Sequence, residues 1–201
     1  MDTFWQLVVG FLLTTVLGGL VGTDLQWRSW KHQNEAQLRE AERHRAGEVC
    51  HAISGLLDKR RYRMLRLFYA VEARTRGAVS ADVLAEKHGS YDRVLYEWND
   101  VLNVNLAMAE TSFGRVAREE LERVYATYAA AGGELEDAYR VAAQGPGRTN
   151  LAQLGGRLDG LDRVAYDFSL LMMTQLLDGA VGRRAPHPAE ASPAAPVPRR
   201  P

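Results

Sequence analysis

Apolar and polar residues follow three successive patterns along the chain, and the first is an uninterrupted apolar run. From Thr3 to Thr23 no side chain is charged. About 20 residues at a rise of 1.5 Å each match a hydrocarbon core of about 30 Å, which predicts a transmembrane helix over residues 1–23. A cleaved signal peptide is the alternative, but Asp2 stands where that signal needs Lys or Arg, and no A-x-A cleavage site follows.

Aromatic and basic residues flank this apolar run unequally. Trp5 lies at one end and Trp27 with Trp30 at the other, where amphipathic rings anchor a helix among lipid headgroups. No Lys or Arg precedes the run, whereas Arg28 and Lys31 follow it, so the positive-inside rule predicts an external N-terminus and a cytoplasmic C-terminal part. Richness in Ala, Arg and Gly is typical of a GC-rich bacterial genome, so the predicted location is a bacterial inner (cytoplasmic) membrane.

Small residues recur at every fourth position of the apolar run, at Gly10, Thr14, Gly18 and Gly22. Lipid gives apolar helices no hydrophobic reason to associate, so membrane helices meet where small side chains let backbones come close. Glycine is also common in membrane helices, which is the plainer explanation. Four small residues in register nevertheless favour helix association, and a homo-oligomer is expected because only one spanning helix is predicted.

The second pattern is polar, and it predicts a helical stalk next to the membrane over residues 24–48. From Lys31 to Glu48 the chain is polar or charged on nearly all sides of a helix. Glu35 and Arg39 stand at the favourable i, i+4 spacing for an ion pair. We therefore expect this segment to be a solvated helix.

The third pattern, over residues 49–182, is the three-and-four spacing of amphipathic helices. Gly77 can end the first helix, Ser80 can cap the second, and Gly114 lies between the second and the third. Gly132 and Gly133 could bend the third, and QGPGRTN (144–150) separates it from the fourth. The apolar face of the first helix consists of Val49, Ile53, Leu56, Leu57, Met64, Leu67, Phe68 and Val71.

The fourth helix carries a coiled-coil-like heptad repeat, and it completes the predicted fold. Its seam consists of Leu151, Leu154, Leu158, Leu161, Ala165, Phe168, Met172 and Gln175. No strand-like alternation of period two occurs after residue 30. The predicted fold class is all-α: one N-terminal transmembrane helix, a polar helical stalk, a cytoplasmic antiparallel bundle of about four helices, and a disordered Pro-rich C-terminal tail over residues 183–201.

Composition removes several functional classes. Lys and Arg balance Asp and Glu at 25 each, so nothing in the overall charge points to nucleic acid. The single Cys50 excludes an intramolecular disulfide and a Cys-based zinc or redox motif. Di-iron bundles need paired Glu-x-x-His motifs, whereas only Glu48 and His51 have that spacing here, and both should face solvent. No Walker loop, G-x-S-x-G or H-E-x-x-H occurs, so we expect no metal, no cofactor and no catalytic residues.

Polar residues on the apolar faces are the remaining candidates for a site. Arg60 lies within the apolar stripe of its helix, where a charge requires partners. Asn105 lies on the apolar face of the second helix, which also carries Trp98, and Asn99 lies at its edge. Together these residues could form a small polar pocket, or they could fix the register of the bundle. The basic run KRRYRMLR (59–66) is otherwise expected to be a solvated face.

Two functional hypotheses remain. The first is a non-enzymatic, single-pass membrane protein that self-associates through its transmembrane helix and presents the bundle as a scaffold or accessory subunit for a protein partner. The alternative is a membrane-anchored sensor that binds a small anionic ligand in the polar pocket of the bundle. The absence of a catalytic motif argues against an enzyme in both cases.

Overall fold

The computed structural model describes the backbone of residues 2–146 and 151–182, and the side chains of Trp30, residues 33–146 and residues 151–182. This part of the chain contains four helices and no strand: α1 (Asp2–Thr75), α2 (Ala81–Phe113), α3 (Arg115–Ala143) and α4 (Ala152–Asp178). It divides into two compact units, Met1–Glu42 and Arg43–Pro201. The all-α prediction and the helical bundle are therefore confirmed.

The predicted membrane features lie outside the described side chains. They are the transmembrane segment, its association stripe Gly10, Thr14, Gly18 and Gly22, and the interface anchors Trp5 and Trp27; the predicted tail over residues 183–201 is likewise outside the described residues. Among the residues that are described, no helix is both long and apolar enough to cross a bilayer. Trp30 is described and is 63% exposed. The transmembrane anchor stays a prediction.

The helices of the second unit run antiparallel. Arg61 pairs with Asp162 at 2.9 Å, while Ser54 and Ser169 share a hydrogen bond of 2.9 Å, so residue numbers rise along α4 as they fall along α1. Ion pairs also join the other neighbouring helices: Lys59 with Glu97, His88 with Glu136, and Arg157 with Glu134. Each helix therefore contacts the next in a closed ring.

Side chains at helical spacing form the core of this bundle. On α1 the fully buried positions include Ile53, Leu57, Met64, Leu67 and Val71, all from the predicted apolar face. On α4 they are Leu154, Leu158, Leu161, Ala165, Phe168 and Met172, while Leu151 and Gln175 at the two ends of the predicted seam are partly exposed. Burying a large apolar side chain contributes about 1.5–3 kcal/mol, so the predicted faces account for the packing.

The helix ends agree with the sequence signals. Gly77 has a φ of 72°, a left-handed conformation that glycine adopts without strain, and it lies just after α1. Ser80 caps α2, because its Oγ accepts a hydrogen bond of 3.3 Å from the Val83 backbone N–H. Gly114, with a φ of 86°, is the only residue between α2 and α3. α3 continues as one helix through Gly132 and Gly133.

The compact packing of the second unit begins before Val49. Ala46 is 1% exposed, and an Arg43 guanidinium nitrogen donates a hydrogen bond of 3.3 Å to the Leu177 carbonyl oxygen. Ala46 and Arg43, which the sequence placed in the stalk, thus contact the bundle, although most of residues 43–48 are exposed. In the first unit Arg39 and Glu35 form the expected ion pair at 3.3 Å.

Candidate functional site

α4 has a second apolar face in addition to the face in the core. Tyr166, Leu170, Met173 and Leu177 are 65%, 49%, 45% and 68% exposed. Their spacing of four, three and four residues places them on one side of the helix over three turns. We call these four residues the outer stripe. Single exposed apolar residues are ordinary, but a contiguous row on one helix marks an interaction surface.

A groove of about 390 Å³ lies beside the outer stripe, between α1 and α4. Tyr166 and Met173 line it as well as belonging to the stripe, so the groove and the stripe form one surface. The α1 wall consists of Gly47, Cys50, His51, Ser54 and Asp58. Small residues on this wall leave room for a side chain inserted from outside.

The polar groups in the groove are linked to one another. Ser54 and Ser169 share a hydrogen bond of 2.9 Å across the two helices. The Cys50 thiol is 5% exposed, and burial raises its pKa, although its hydrogen bond with Ser54 acts in the opposite direction. A thiol held in its protonated form is a poor nucleophile, so Cys50 is not an activated nucleophile in this groove.

Charged residues of both signs flank the outer stripe. The charged residues of α4 that flank it are Asp162, Arg163, Asp167 and Asp178. Arg163 lies 3.9 Å from Asp167, and Asp162 pairs with Arg61 of α1. On the α1 side, Arg43 donates a hydrogen bond to the Leu177 carbonyl oxygen. Asp178 is the one of these carboxylates without an ion pair among the described residues.

A second groove, of about 510 Å³, lies between α3 and α4. Its lining is mostly small or β-branched: Ala126, Thr127, Ala130, Ala131, Gly160 and Val164, with Leu161 and Arg157. Arg157 is engaged by Glu134 at 2.6 Å. This groove has no row of large exposed apolar side chains comparable with the outer stripe.

Arg60 lies in the core of the bundle and is only 2% exposed. Its guanidinium carbon lies 5.5 Å from the Trp98 ring centroid, 5.9 Å from that of Tyr125 and 5.5 Å from that of Tyr128. The Trp98 and Tyr125 rings are stacked at 6.1 Å. These rings come from α2 and α3 and stabilise the cation through their π faces, an interaction of about 2 kcal/mol when desolvated. We call Arg60 and the three rings the arginine cluster.

The hydrogen bonding of the arginine cluster is incomplete within the described residues. Arg60 Nε and Nη1 and Trp98 Nε1 are buried and have no hydrogen-bond acceptor among them. Each such donor costs about 1–3 kcal/mol of desolvation. The Tyr91 hydroxyl does hydrogen-bond to Arg60, but no carboxylate of the described part pairs with it.

The tyrosines next to Arg60 have perturbed acidities. Burial raises the pKa of Tyr91, against the opposing effects of the Arg60 charge and hydrogen bond. Burial likewise raises the pKa of Tyr128, whose hydroxyl donates a hydrogen bond of 3.5 Å to the Leu57 carbonyl. A tyrosine that stays protonated to high pH is not a general base near neutrality, so the cluster does not resemble an acid–base site.

Only two of the four residues of the predicted polar pocket come together. Arg60 and Trp98 are in contact, as described above. Asn99 is exposed, and its Oδ1 accepts a hydrogen bond of 3.5 Å from the Tyr125 hydroxyl. Asn105 is 6% exposed, but it lies about 10 Å from Trp98 along the axis of α2, and its Nδ2 has no acceptor among the described residues.

His88 joins α2 to α3 beside this cluster. Its Nε2 lies 2.8 Å from Glu136 and its Nδ1 lies 3.2 Å from Asp92, and its ring stacks on Tyr139 at 3.8 Å. Because both ring nitrogens face carboxylates on opposite sides, neither is directed at an open cleft. Glu48 and His51, the isolated Glu-x-x-His pair, are both exposed, as expected.

The sequence prediction grouped Arg60 with Trp98, but it missed the tyrosine partners of Arg60 and the outer stripe. The apolar spacing of Tyr91, Tyr125 and Tyr128 indicates core residues and does not link them to Arg60. Tyr166 and Met173 are seven residues apart, and so are Leu170 and Leu177. This heptad spacing was a signal in the sequence beside the main seam of α4. No protein-family model, curated protein or solved structure shows significant similarity to this chain, so the site rests on its own geometry.

Proposed function

We propose that this protein is a non-enzymatic, membrane-anchored scaffold or accessory subunit whose bundle binds an amphipathic helix of a partner protein on the outer stripe of α4. The observation that carries the proposal is the second apolar face of α4, four large side chains between 45% and 68% exposed. A helix whose first face already lies in a core needs no second apolar face for folding. Such a face lowers solubility unless a partner covers it.

The shape of the surface favours a helix as the partner. A helix docked along the outer stripe would present anchors at the same spacing of three and four residues, as in helix-in-groove recognition. One of its side chains can enter the groove of about 390 Å³ between α1 and α4. Burying an anchor there contributes about 1.5–3 kcal/mol, enough to change affinity roughly 10-fold to 100-fold.

The charges beside the stripe indicate what kind of helix it is. Asp162 and Asp167 are each paired with an arginine, whereas Asp178, beside Leu177, has no ion pair among the described residues. A partner helix with Lys or Arg beside its apolar residues would place a cation near Asp178, and complementary charge speeds encounter and fixes orientation. We therefore propose a basic amphipathic helix.

The membrane anchor and self-association rest on the sequence. The uncharged run from Thr3 to Thr23 and the basic residues after it support a single-pass anchor with a cytoplasmic bundle. The small residues at four-residue spacing, Gly18 and Gly22 among them, support association of two or more copies in the membrane. Anchored copies would display several outer stripes side by side, which raises the effective concentration of the docking surface.

The sensor hypothesis has less support. Arg60 is 2% exposed and lines neither of the two grooves described above, so the described bundle gives little support to an extended anionic ligand at Arg60. Asn99 and Asn105 do not join Arg60 in one pocket. The scaffold hypothesis is therefore the stronger one.

A photo-crosslinking pair tests the docking surface. p-Benzoylphenylalanine replaces Tyr166 in one variant and Tyr96 in the control, because Tyr166 and Tyr96 are similarly exposed at 65% and 67% but lie on different helices. After irradiation in native membranes, we expect the Tyr166 position to crosslink to one protein. The crosslinked peptide, identified by mass spectrometry, should have apolar residues three and four apart flanked by Lys or Arg.

A double substitution, Leu170→Glu with Leu177→Glu, is the second arm. It should abolish the Tyr166 crosslink, whereas Val104→Glu with Met108→Glu on α2 should leave it intact, since both pairs are exposed apolar residues. A crosslink to a second copy of this chain would make the stripe a homotypic interface and overturn the partner class. Equal crosslinking at Tyr166 and Tyr96 would overturn the docking surface.

Self-association requires a separate measurement. Light scattering of the full-length protein in detergent, corrected for bound detergent, gives its mass beside that of Gly18→Leu with Gly22→Leu. We expect a defined oligomer that the substitutions dissociate. A wild-type monomer would contradict the proposed self-association. It would not affect the proposed docking surface, which the crosslinking experiment tests separately.

A further inference from the structure

The arginine cluster contains three buried N–H donors that lack an acceptor among the described residues: Arg60 Nε, Arg60 Nη1 and Trp98 Nε1. All three belong to donor-only groups, which no rotation or tautomer can turn into acceptors. The aromatic faces of Trp98, Tyr125 and Tyr128 take up part of the positive charge. They are weak acceptors for N–H groups, so the donors remain unsatisfied.

The carboxylates nearest the cluster are engaged elsewhere or face outwards. Asp162 pairs with Arg61 at 2.9 Å, and Glu136 contacts His88 at 2.8 Å. Asp58 is exposed and lines the groove between α1 and α4. The core therefore holds an arginine charge without a carboxylate in contact, which proteins ordinarily avoid because a buried charge needs a counter-charge.

We propose that the arginine cluster is an internal binding site for a small inorganic monoanion of the halide class. The anion would accept hydrogen bonds from Arg60 and from Trp98 Nε1, and would neutralise the guanidinium inside the bundle. Charge-assisted hydrogen bonds of this kind are the strong class in a low-dielectric interior. The site differs from a sensor pocket because its ligand is enclosed and part of the folded core.

Burial limits the size of the ion. Arg60 is 2% exposed, Trp98 is fully buried, and neither of them lines the two grooves described above. The Tyr91 hydroxyl occupies the space over Gly132, which closes the cluster on the α3 side. A ligand enclosed in this way would have to be a small ion such as chloride, because gluconate is too large for a site without an entrance.

Thermal unfolding of the full-length protein in detergent tests the site, with chloride replacing gluconate at constant sodium concentration. A ligand that binds only the folded state raises the midpoint by an amount that grows with the logarithm of its concentration above the dissociation constant. At ten times its dissociation constant, chloride should raise the midpoint by about 3–6 °C. Arg60→Met removes the charge and the donors at similar length, and the chloride effect should disappear.

Arg66→Met is the matched control, because Arg66 lies on the same helix and is exposed. This variant should keep the full chloride effect. Trp98→Phe removes one donor and should raise the chloride concentration needed for the same rise in midpoint by about 10-fold or more. It also carries the test alone if Arg60→Met does not fold.

Two results would overturn the proposal. The first is a wild-type unfolding midpoint that does not respond to chloride. A response of equal size in wild type and Arg60→Met, or in wild type and Trp98→Phe, would mark a general salt effect. The outcome is independent of the crosslinking at Tyr166, which concerns another face of the bundle.

Discussion

The close approach of Tyr91 to Gly132 makes a sharp prediction about two adjacent glycines. A Cβ atom at Gly132 would lie 2.7 Å from the Tyr91 hydroxyl oxygen and 3.7 Å from Arg60 Nη2, whereas a Cβ at Gly133 would meet nothing within 4 Å. Both glycines lie inside α3, so the helix-propensity gain is the same for the two alanine variants. The difference between the variants therefore isolates the packing effect.

The magnitudes follow from that comparison. Alanine stabilises a helix interior by about 1 kcal/mol relative to glycine, which is the expected effect of Gly133→Ala. At Gly132 the same gain is opposed by overpacking of about 1–3 kcal/mol, because Tyr91 is 2% exposed and cannot move away freely. We expect Gly132→Ala to lie about 1–3 kcal/mol below Gly133→Ala in free energy of unfolding.

Denaturant unfolding of the full-length protein, followed by circular dichroism at 222 nm, gives the two free energies. Tyr91→Phe in the Gly132→Ala background removes the clashing oxygen, and a double-mutant cycle should show that it recovers part of the loss. If Gly132→Ala is as stabilising as Gly133→Ala, the close approach of Tyr91 has no energetic consequence and the reasoning fails.

Two further predictions concern the cap of α2 and the buried tyrosines. Ser80→Ala should lower the free energy of unfolding by about 0.5–2 kcal/mol, because the Val83 N–H loses its acceptor. Ser80→Asp keeps an acceptor at this position and should retain most of the stabilisation by the cap. Burial raises the pKa of Tyr128, so the folded state keeps a proton that the unfolded state releases near pH 10. The contribution of Tyr128 to the free energy of unfolding is therefore fully present below about pH 10 and is lost as the pH rises further. In denaturant unfolding measured at several pH values, Tyr128→Phe should make this decline less steep. An unchanged slope would contradict the prediction.

The apolar faces and helix ends could be predicted because their signals are local. Ile53, Leu57 and Phe168 follow the period of the helix, and that period identifies the buried side without any knowledge of the neighbours. Ser80 and Gly77 act through their own backbone and adjacent N–H groups. The residue at which α1 begins to pack in the bundle was harder to predict, since Ala46 looks like any small residue in a polar helix.

The tyrosines around Arg60 could not be predicted, because their contacts with Arg60 are not local in sequence. The helical angle of Arg60 showed that it faces the core, but its rings come from α2 and α3, far away in sequence. Grouping Asn105 with Arg60 by angle ignored the distance along the helix axis. Gly132 looked like a possible bend, whereas its role is to make room for a tyrosine on another helix.

Gly114 alone separates α2 from α3, so these two helices meet by closing a loop of one residue. The contact between α1 and α4 at Ser54 and Ser169 instead spans 115 residues. Local contacts form early in folding and distant ones late, because loop closure must come before the contact is made. The α2–α3 hairpin should therefore fold first, and the groove between α1 and α4 should be completed last. A partner that recognises this groove would bind only chains that have finished folding.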